Sequence, residues 1–155
     1  MDATDLKILD ILQRDGRASH SDIAKTVGLS APTVAERVKK MEFEGIIRRY
    51  VCLLAPAKAN RQISALVEVS LNKPNHAKAF LQRIKELEDV LECYHVTGEC
   101  DYLLKVRTRS LAALEALLST DLRPLDGVAA TRTSVILSSP KEETRLGLTI
   151  EDLPD

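Results

Sequence analysis

The sequence predicts an α+β protein of two domains, and three observations support this fold class. Apolar residues recur at helical spacing in three segments of the first third of the chain. From residue 63 onwards, short β-branched segments alternate with two helical segments. Between these regions, residues 55–61 combine a proline with a polar end, a composition typical of linkers. We therefore expect one domain at 1–54 and a second domain at 62–155.

The N-terminal domain is predicted to contain a helix-turn-helix. Residues 4–14 form an amphipathic first helix, and Ser19 and Ser30 stand where the next two helices begin. A serine hydroxyl at such a position accepts a hydrogen bond from an unpaired backbone N–H of the first turn. Gly28 follows the second helix, where a left-handed residue ends a helix at little cost. Two helices joined by a short glycine-containing turn fit a DNA major groove.

The polar face of the third helix supplies candidate DNA contacts. Val34, Val38 and Met41 recur at helical spacing and predict its buried face, which leaves the opposite face free. The same pattern also occurs in ordinary helical hairpins, where the basic residues are only a solvated face. We expect base-edge contacts from Ser30, Pro32, Thr33 and Glu36, and phosphate contacts from Arg37, Lys40, Arg48 and Arg49.

The segment after this helix is a candidate wing. Residues 46–54 follow Gly45 and are β-branched and apolar enough for a strand. Such a strand would make the module a winged helix-turn-helix, with the paired arginines beside flanking phosphates.

Composition and charge limit the function classes. The 155 residues are 45% hydrophobic and 29% charged, as in an ordinary globular protein. No run reaches the length of a membrane span, and the acidic start lacks the apolar region of a secretory signal, so we expect a cytoplasmic protein. Residues 1–60 carry 10 basic against 8 acidic side chains, a balance of only +2. Because phosphate neutralisation dominates DNA affinity, so weakly basic a module is expected to need two or more copies on one site.

The C-terminal domain is predicted to be a ferredoxin-like βαββαβ unit, an antiparallel sheet with both helices on one face. The predicted segments are a strand at 63–71, a helix from 72–74 to about 88, strands at 90–96 and 101–108, a helix at 110–120 and a strand at 128–137. The outer face of this sheet is expected to be apolar and covered by a second copy of the sheet. The residues that predict it are Val67, Val69, Leu71, Leu104 and Val106.

Several separated motifs carry a family resemblance over essentially the whole chain. They are D-x-x-D-x-x-I-L at the start, D-G-R-A-S, I-A-K-T-V-G-L-S, R-V-K-K-M-E with G-I-I-R, and V-T-G-E-C-D-Y at the hairpin. Together they resemble the Lrp/AsnC family, the feast/famine regulators of bacteria and archaea. The resemblance implies a transcriptional regulator, not an enzyme, that dimerises through its C-terminal sheets, often assembles into octamers and senses an amino acid. It also implies an effector site between C-terminal domains, near Gly98 and Asp101.

The hairpin after the second strand has chemistry that suits an amino acid. Gly98 allows a sharp turn that exposes N–H groups to a carboxylate, and Asp101 could receive an ammonium group or fix the loop. A glycine and an aspartate in a hairpin are also common as mere turn residues. The candidate effector-binding residues are Thr97, Gly98, Glu99, Cys100, Asp101, Thr131, Thr133 and Ser134.

Two other kinds of site are disfavoured. Cys93, His95 and Cys100 lack a fourth ligand and a standard zinc spacing, so no metal and no other cofactor is expected. The same two-domain architecture resembles that of sirohaem decarboxylases, an alternative function from a different class. Such an enzyme needs a cleft rich in histidine and arginine to hold many carboxylates, whereas residues 61–155 contain only two histidines.

Overall fold

The chain forms two compact units in a computed structural model that describes residues 1–152. One unit comprises Met1–Leu53 and the residues from Lys141 onwards, and the other comprises Leu54–Pro140. The C-terminal end therefore departs from the expectation that 62–155 form one domain. Its residues associate with the N-terminal helices because Leu148 packs on their core and the Leu146 backbone hydrogen-bonds with Gln13. Among residues 1–152, no helix has both the length and the apolar character needed to cross a membrane.

The N-terminal unit contains α1 (Ala3–Arg14), α2 (His20–Val27) and α3 (Ala31–Phe43). Ser19 and Ser30 cap α2 and α3 through their side chains, and Gly28 ends α2 in the left-handed region at φ +73°, which confirms the three predicted boundaries. The helices enclose one buried cluster, formed by Ile8, Leu9, Ile23, Ala24, Val34, Val38 and Met41.

Residues 46–54 form no strand, so the predicted wing is wrong for this segment of the chain. A strand needs a hydrogen-bonded neighbour, and the described part of the N-terminal unit contains no strand with which it could pair. The segment leaves apolar side chains in solvent, with Val51 63% and Leu53 72% exposed. Its arginines, Arg48 and Arg49, are exposed on an irregular stretch of backbone.

The second unit contains β1 (Ile63–Leu71), α4 (Ala77–Ile84), β2 (Val90–His95), β3 (Tyr102–Thr108), α5 (Leu111–Ala116) and β4 (Val128–Val135). Its strands form one antiparallel sheet of order β2-β3-β1-β4. A 3₁₀ turn at Pro74–His76 precedes α4, and a π-helical turn at Leu117–Leu122 continues α5. This order confirms the predicted ferredoxin-like βαββαβ arrangement.

The expected apolar outer face of the sheet is wrong. The residues that predicted this face lie instead in the core beneath the helices, where they pack with Phe80, Ile84 and Leu114. Val67, Val69, Leu104 and Val106 are fully buried, and Leu71 is partly buried. Alternation along β1 and the strand register place Glu68, Arg132 and Lys105 on the opposite face. That face carries an ion pair between Glu68 and Arg132 at 2.6 Å. Leu66 and Leu103 share this face, so it is a mixed surface of charged and apolar side chains.

Candidate DNA-binding and effector-binding sites

The start of α3 presents two linked hydroxyl groups. The Ser30 Oγ accepts a hydrogen bond from the Thr33 N–H at 3.2 Å and lies 2.7 Å from the Thr33 Oγ1. Capping therefore fixes the side chain of Ser30 against that of Thr33, and both are candidate base-reading residues. Pro32 and Glu36 are exposed beside them. Short polar groups near the start of a helix, held in one conformation, suit contact with base edges.

Arg37 is not the free phosphate-binding cation that the sequence predicted. Its Nη1 donates to Asp2 Oδ2 at 2.7 Å and to Asp5 Oδ1 at 2.9 Å. These hydrogen bonds, that to Asp2 first, raise the pKa of Arg37 above its ordinary value. The pKa of Asp2 is lowered, first by the hydrogen bond from the Asp5 backbone and then by Arg37. A phosphate would have to displace two carboxylates to reach this guanidinium.

The other basic candidates are more accessible. Lys40 Nζ lies 3.8 Å from a Glu44 carboxylate oxygen, and the lysine side chain is 72% exposed. Exposed pairs of this kind contribute little free energy, so the ammonium can turn towards a phosphate. Arg48 and Arg49 are also exposed, although on the irregular segment rather than on a wing.

Tyr50 anchors that segment to the helices. Burial, followed by a hydrogen bond with Glu42, raises the pKa of its phenol to about 12. The segment and the C-terminal residues 144–148 line one mainly apolar groove of about 570 Å³ beside α1. The arginines are thus held next to the helix-turn-helix without a strand.

The hairpin between β2 and β3 has the open turn expected of an exposed loop. Gly98 has a φ of +135°, and a Cβ there would meet no atom within 4 Å. The Asp101 carboxylate is already hydrogen-bonded within the protein, because its Oδ2 accepts the Leu71 N–H at 2.7 Å. Its own N–H donates to the Val69 carbonyl at 3.0 Å. Of the two predicted roles for Asp101, fixing the loop is the one seen in this chain.

The structure divides the remaining effector candidates. Thr131 pairs with Val69, the residue whose carbonyl holds Asp101, and its hydroxyl accepts from Arg123 Nε at 3.2 Å. Ser134 pairs with Leu66, three residues farther along β1, or about 10 Å away. Thr97, Glu99 and Cys100 flank the turn itself. Thr133 lies on the helix side of β4, with its buried Oγ1 unpaired.

Arg132 is a charged neighbour of the hairpin that sequence reasoning missed. One of its guanidinium nitrogens lies 3.5 Å from Glu99 of the loop, while Nε donates to Glu68 at 2.7 Å. These hydrogen bonds and charges, Glu68 first, raise the pKa of Arg132. Only the register of β4 against β1 places Arg132 opposite Glu68, and no local pattern carries that information.

The cysteines and histidines form no cluster suited to a metal within residues 1–152. His95 stacks on Tyr102 with ring centroids 5.1 Å apart. Burial raises the pKa of the Cys93 thiol, which makes it less reactive. Cys93 is thus a partly buried strand residue, and His95 is an exposed strand residue that stacks on a tyrosine.

Comparison with known proteins identifies the family. An AsnC-type helix-turn-helix domain matches residues 1–42, and an Lrp/AsnC ligand binding domain matches residues 64–146. The chain belongs to the Lrp/AsnC family. It is 41% identical over 150 residues to the leucine-responsive regulatory protein of Haemophilus influenzae, covering 96% of this chain and 90% of that one. The Escherichia coli K12 leucine-responsive regulatory protein is 38% identical over 148 residues, covering 94% and 90%.

Solved structures of Lrp/AsnC proteins share the whole fold. A transcriptional regulator from Neisseria meningitidis, solved as an L-Met complex, has a TM-score of 0.91 at 32% identity, covering 95% of this chain and 96% of that one. Escherichia coli AsnC has a TM-score of 0.88 at 28% identity, covering 94% and 97%. This Lrp/AsnC protein is a DNA-binding transcriptional regulator of an amino-acid-responsive family, and it is not an enzyme. The decarboxylase alternative is thereby set aside.

Proposed function

We propose that this Lrp/AsnC regulator reads duplex DNA with α3 and responds to an apolar amino acid of the leucine or methionine type. The DNA-reading part of this proposal is supported by the capped, exposed start of α3, where the Ser30 and Thr33 side chains hold each other in place. Pro32 and Glu36 join them at base edges, and Lys40, Arg48 and Arg49 contact phosphates. The setting for such a regulator is the cytoplasm.

The choice of effector rests on relatives. The similar curated proteins are leucine-responsive, and a similar structure is a complex with L-Met. The proposed site is the hairpin, with Thr97, Gly98, Glu99, Cys100 and Asp101, completed by Thr131 of the same chain and by Ser134 of a neighbouring chain. Thr133 is left out of the site, because its hydroxyl is buried on the helix side of β4. The turn at Gly98 has open space around it, which leaves room for a carboxylate beside the backbone.

We propose that the regulator acts as a dimer or a larger assembly such as an octamer. The support comes from the irregular segment at 46–54, whose backbone lacks a strand partner within the described residues and whose apolar side chains Val51 and Leu53 are exposed. An unpaired segment with such exposed apolar side chains favours association with a second chain. Val51→Asp is expected to shift the mass measured by light scattering towards the monomer. Leu137→Asp, at a site 97% exposed on the other unit, is the matched control and should leave the mass unchanged.

Two binding experiments test the proposal. Lys40→Gln should weaken binding to any duplex and lower the slope of log affinity against log salt by about 0.9, because one phosphate contact is lost. Lys58→Gln, which removes an exposed charge from the linker, should change neither. For the effector, thermal unfolding in each of the twenty amino acids should show the largest stabilisation with leucine or methionine. An unchanged melting temperature with every amino acid would contradict the sensor.

A further inference from the structure

One ion-paired cluster links the recognition helix to the beginning of the chain. Arg37, in the middle of α3, donates from a single nitrogen to Asp2 and to Asp5 of α1. Its side chain is 32% exposed, and that of Asp5 is only 13% exposed. The Asp2 side chain is 52% exposed, so the enclosed part of the cluster is the pair of Arg37 with Asp5. Other ion pairs of the helix-turn-helix, such as Lys25 with Asp22, are mostly solvent-exposed.

Both carboxylates are already fixed before Arg37 reaches them. Asp2 caps α1, because its Oδ1 accepts the N–H groups of Thr4 and Asp5 at 2.8 and 2.9 Å. Asp5 returns the interaction, since its Oδ2 accepts the Asp2 N–H at 2.9 Å. This reciprocal capping box holds the two acceptors in place, so pairing with Arg37 costs little additional side-chain entropy. The cluster therefore ties α3 to a rigid helix end.

The position of the cluster on α3 connects it with the reading surface. Arg37 lies one turn after Thr33 and one turn before Lys40, and all three line the same groove of about 520 Å³. One guanidinium and two carboxylates sum to a charge of −1, which repels a phosphate rather than attracting it. Charge alone therefore disfavours Arg37 as a DNA contact, even though it lies on the DNA-facing side of the helix.

We propose that Arg37 is a positioning residue for DNA recognition, which fixes α3 against the capped start of α1 so that Ser30 and Thr33 meet the bases in one orientation. The inference rests on the proposed reading of DNA by α3. This role replaces the phosphate contact that the sequence predicted for Arg37. It also gives Asp2 and Asp5 a function in recognition, although a carboxylate repels the phosphates of DNA.

The test compares substitutions in the full-length protein with two duplexes. One duplex is selected from a randomised pool by the wild-type protein, and the other has mixed sequence; the ratio of the two affinities, from fluorescence anisotropy, is the selectivity. Arg37→Met and Lys40→Met each remove one positive charge, one helical turn apart. Arg37→Met should lower the selectivity about tenfold, the loss of roughly one base contact. Lys40→Met should weaken both duplexes alike and leave the selectivity unchanged.

Asp5→Asn lowers the selectivity under one interpretation and leaves it unchanged under the other. An asparagine still accepts the Asp2 N–H, but it no longer pairs as a charge with Arg37. If Arg37 positions α3, Asp5→Asn lowers the selectivity as Arg37→Met does, and the double variant is no worse than either single one. If Arg37 binds phosphate, Asp5→Asn releases it and tightens binding to both duplexes with unchanged selectivity, and unchanged selectivity overturns the inference. Tighter binding alone does not separate the two interpretations, because the loss of one negative charge near DNA favours both duplexes under either of them. Circular dichroism establishes that the variants are folded, and unchanged selectivity in folded Arg37→Met also overturns it.

The same measurements separate this inference from the proposed function. If Lys40→Met leaves both affinities unchanged, α3 does not face DNA and the proposed function fails. If Lys40→Met weakens binding while Arg37→Met has the same effect on the salt slope and none on selectivity, only the positioning role fails.

Discussion

Replacing Asp101 by alanine removes the acceptor of a 2.7 Å hydrogen bond from the Leu71 N–H. That amide lies at the bulge between Ser70 and Leu71, where β1 loses its regular register with β4. A hydrogen bond to a charged group contributes about 1.5–3 kcal/mol, and partial access of water to Leu71 favours the lower end. For a domain of this size, about 1.5 kcal/mol corresponds to a fall of roughly 6–12 °C in the melting temperature.

Asp101→Asn distinguishes a loop brace from an effector contact. The asparagine carbonyl still accepts the Leu71 N–H, although as a neutral acceptor of roughly half the strength. We expect Asp101→Asn to melt within a few degrees of the wild type and to bind L-leucine and L-methionine with nearly unchanged affinity in titration calorimetry. Asp101→Ala should lose both stability and ligand affinity. A melting temperature of Asp101→Ala equal to that of the wild type would refute the brace, and a large loss of affinity in Asp101→Asn would assign the carboxylate to the ammonium group.

Three further predictions concern the stability of the two units. Gly127 has a φ of +89°, and a Cβ there would lie 2.3 Å from the His76 side chain, whereas Gly45 at φ +74° has open space. Urea unfolding should therefore show a loss of about 2–4 kcal/mol for Gly127→Ala but only about 1–2 kcal/mol for Gly45→Ala, and equal losses would contradict the steric argument. Because the pKa of Tyr50 is raised to about 12 from 10.0, its contribution to stability is complete below pH 10 and is lost as the pH rises towards 12. Tyr50→Phe should abolish that component of alkaline unfolding followed by circular dichroism, and its persistence would show that another group titrates. Deletion of 141–155 uncovers one side of the N-terminal groove. Amide hydrogen exchange in the first helix should therefore become faster. Unchanged exchange would mean that this segment does not stabilise the unit.

The sequence by itself determined those features that depend on neighbours within one or two helical turns. Ser19, Ser30 and Gly28 mark the boundaries of α2 and α3, because capping involves groups only two to four residues apart. Period-two alternation in 63–71 likewise predicted β1 residue by residue. The order of such elements along the chain was then enough to predict the βαββαβ fold.

Only the tertiary structure decided the features that depend on distant parts of the chain. Alternation does not say which face of a sheet the helices cover, so the apolar residues of β1 and β3 were assigned to the wrong surface. Residues 46–54 have the composition of a strand, but a strand also needs a partner, and within residues 1–152 no strand lies beside them. Arg37 has the local pattern of a DNA contact, yet its partners lie 35 and 32 residues away and commit it to α1. The same holds for Asp101 and Leu71, 30 residues apart: a charged side chain in a sequence has many possible partners, and only packing selects one.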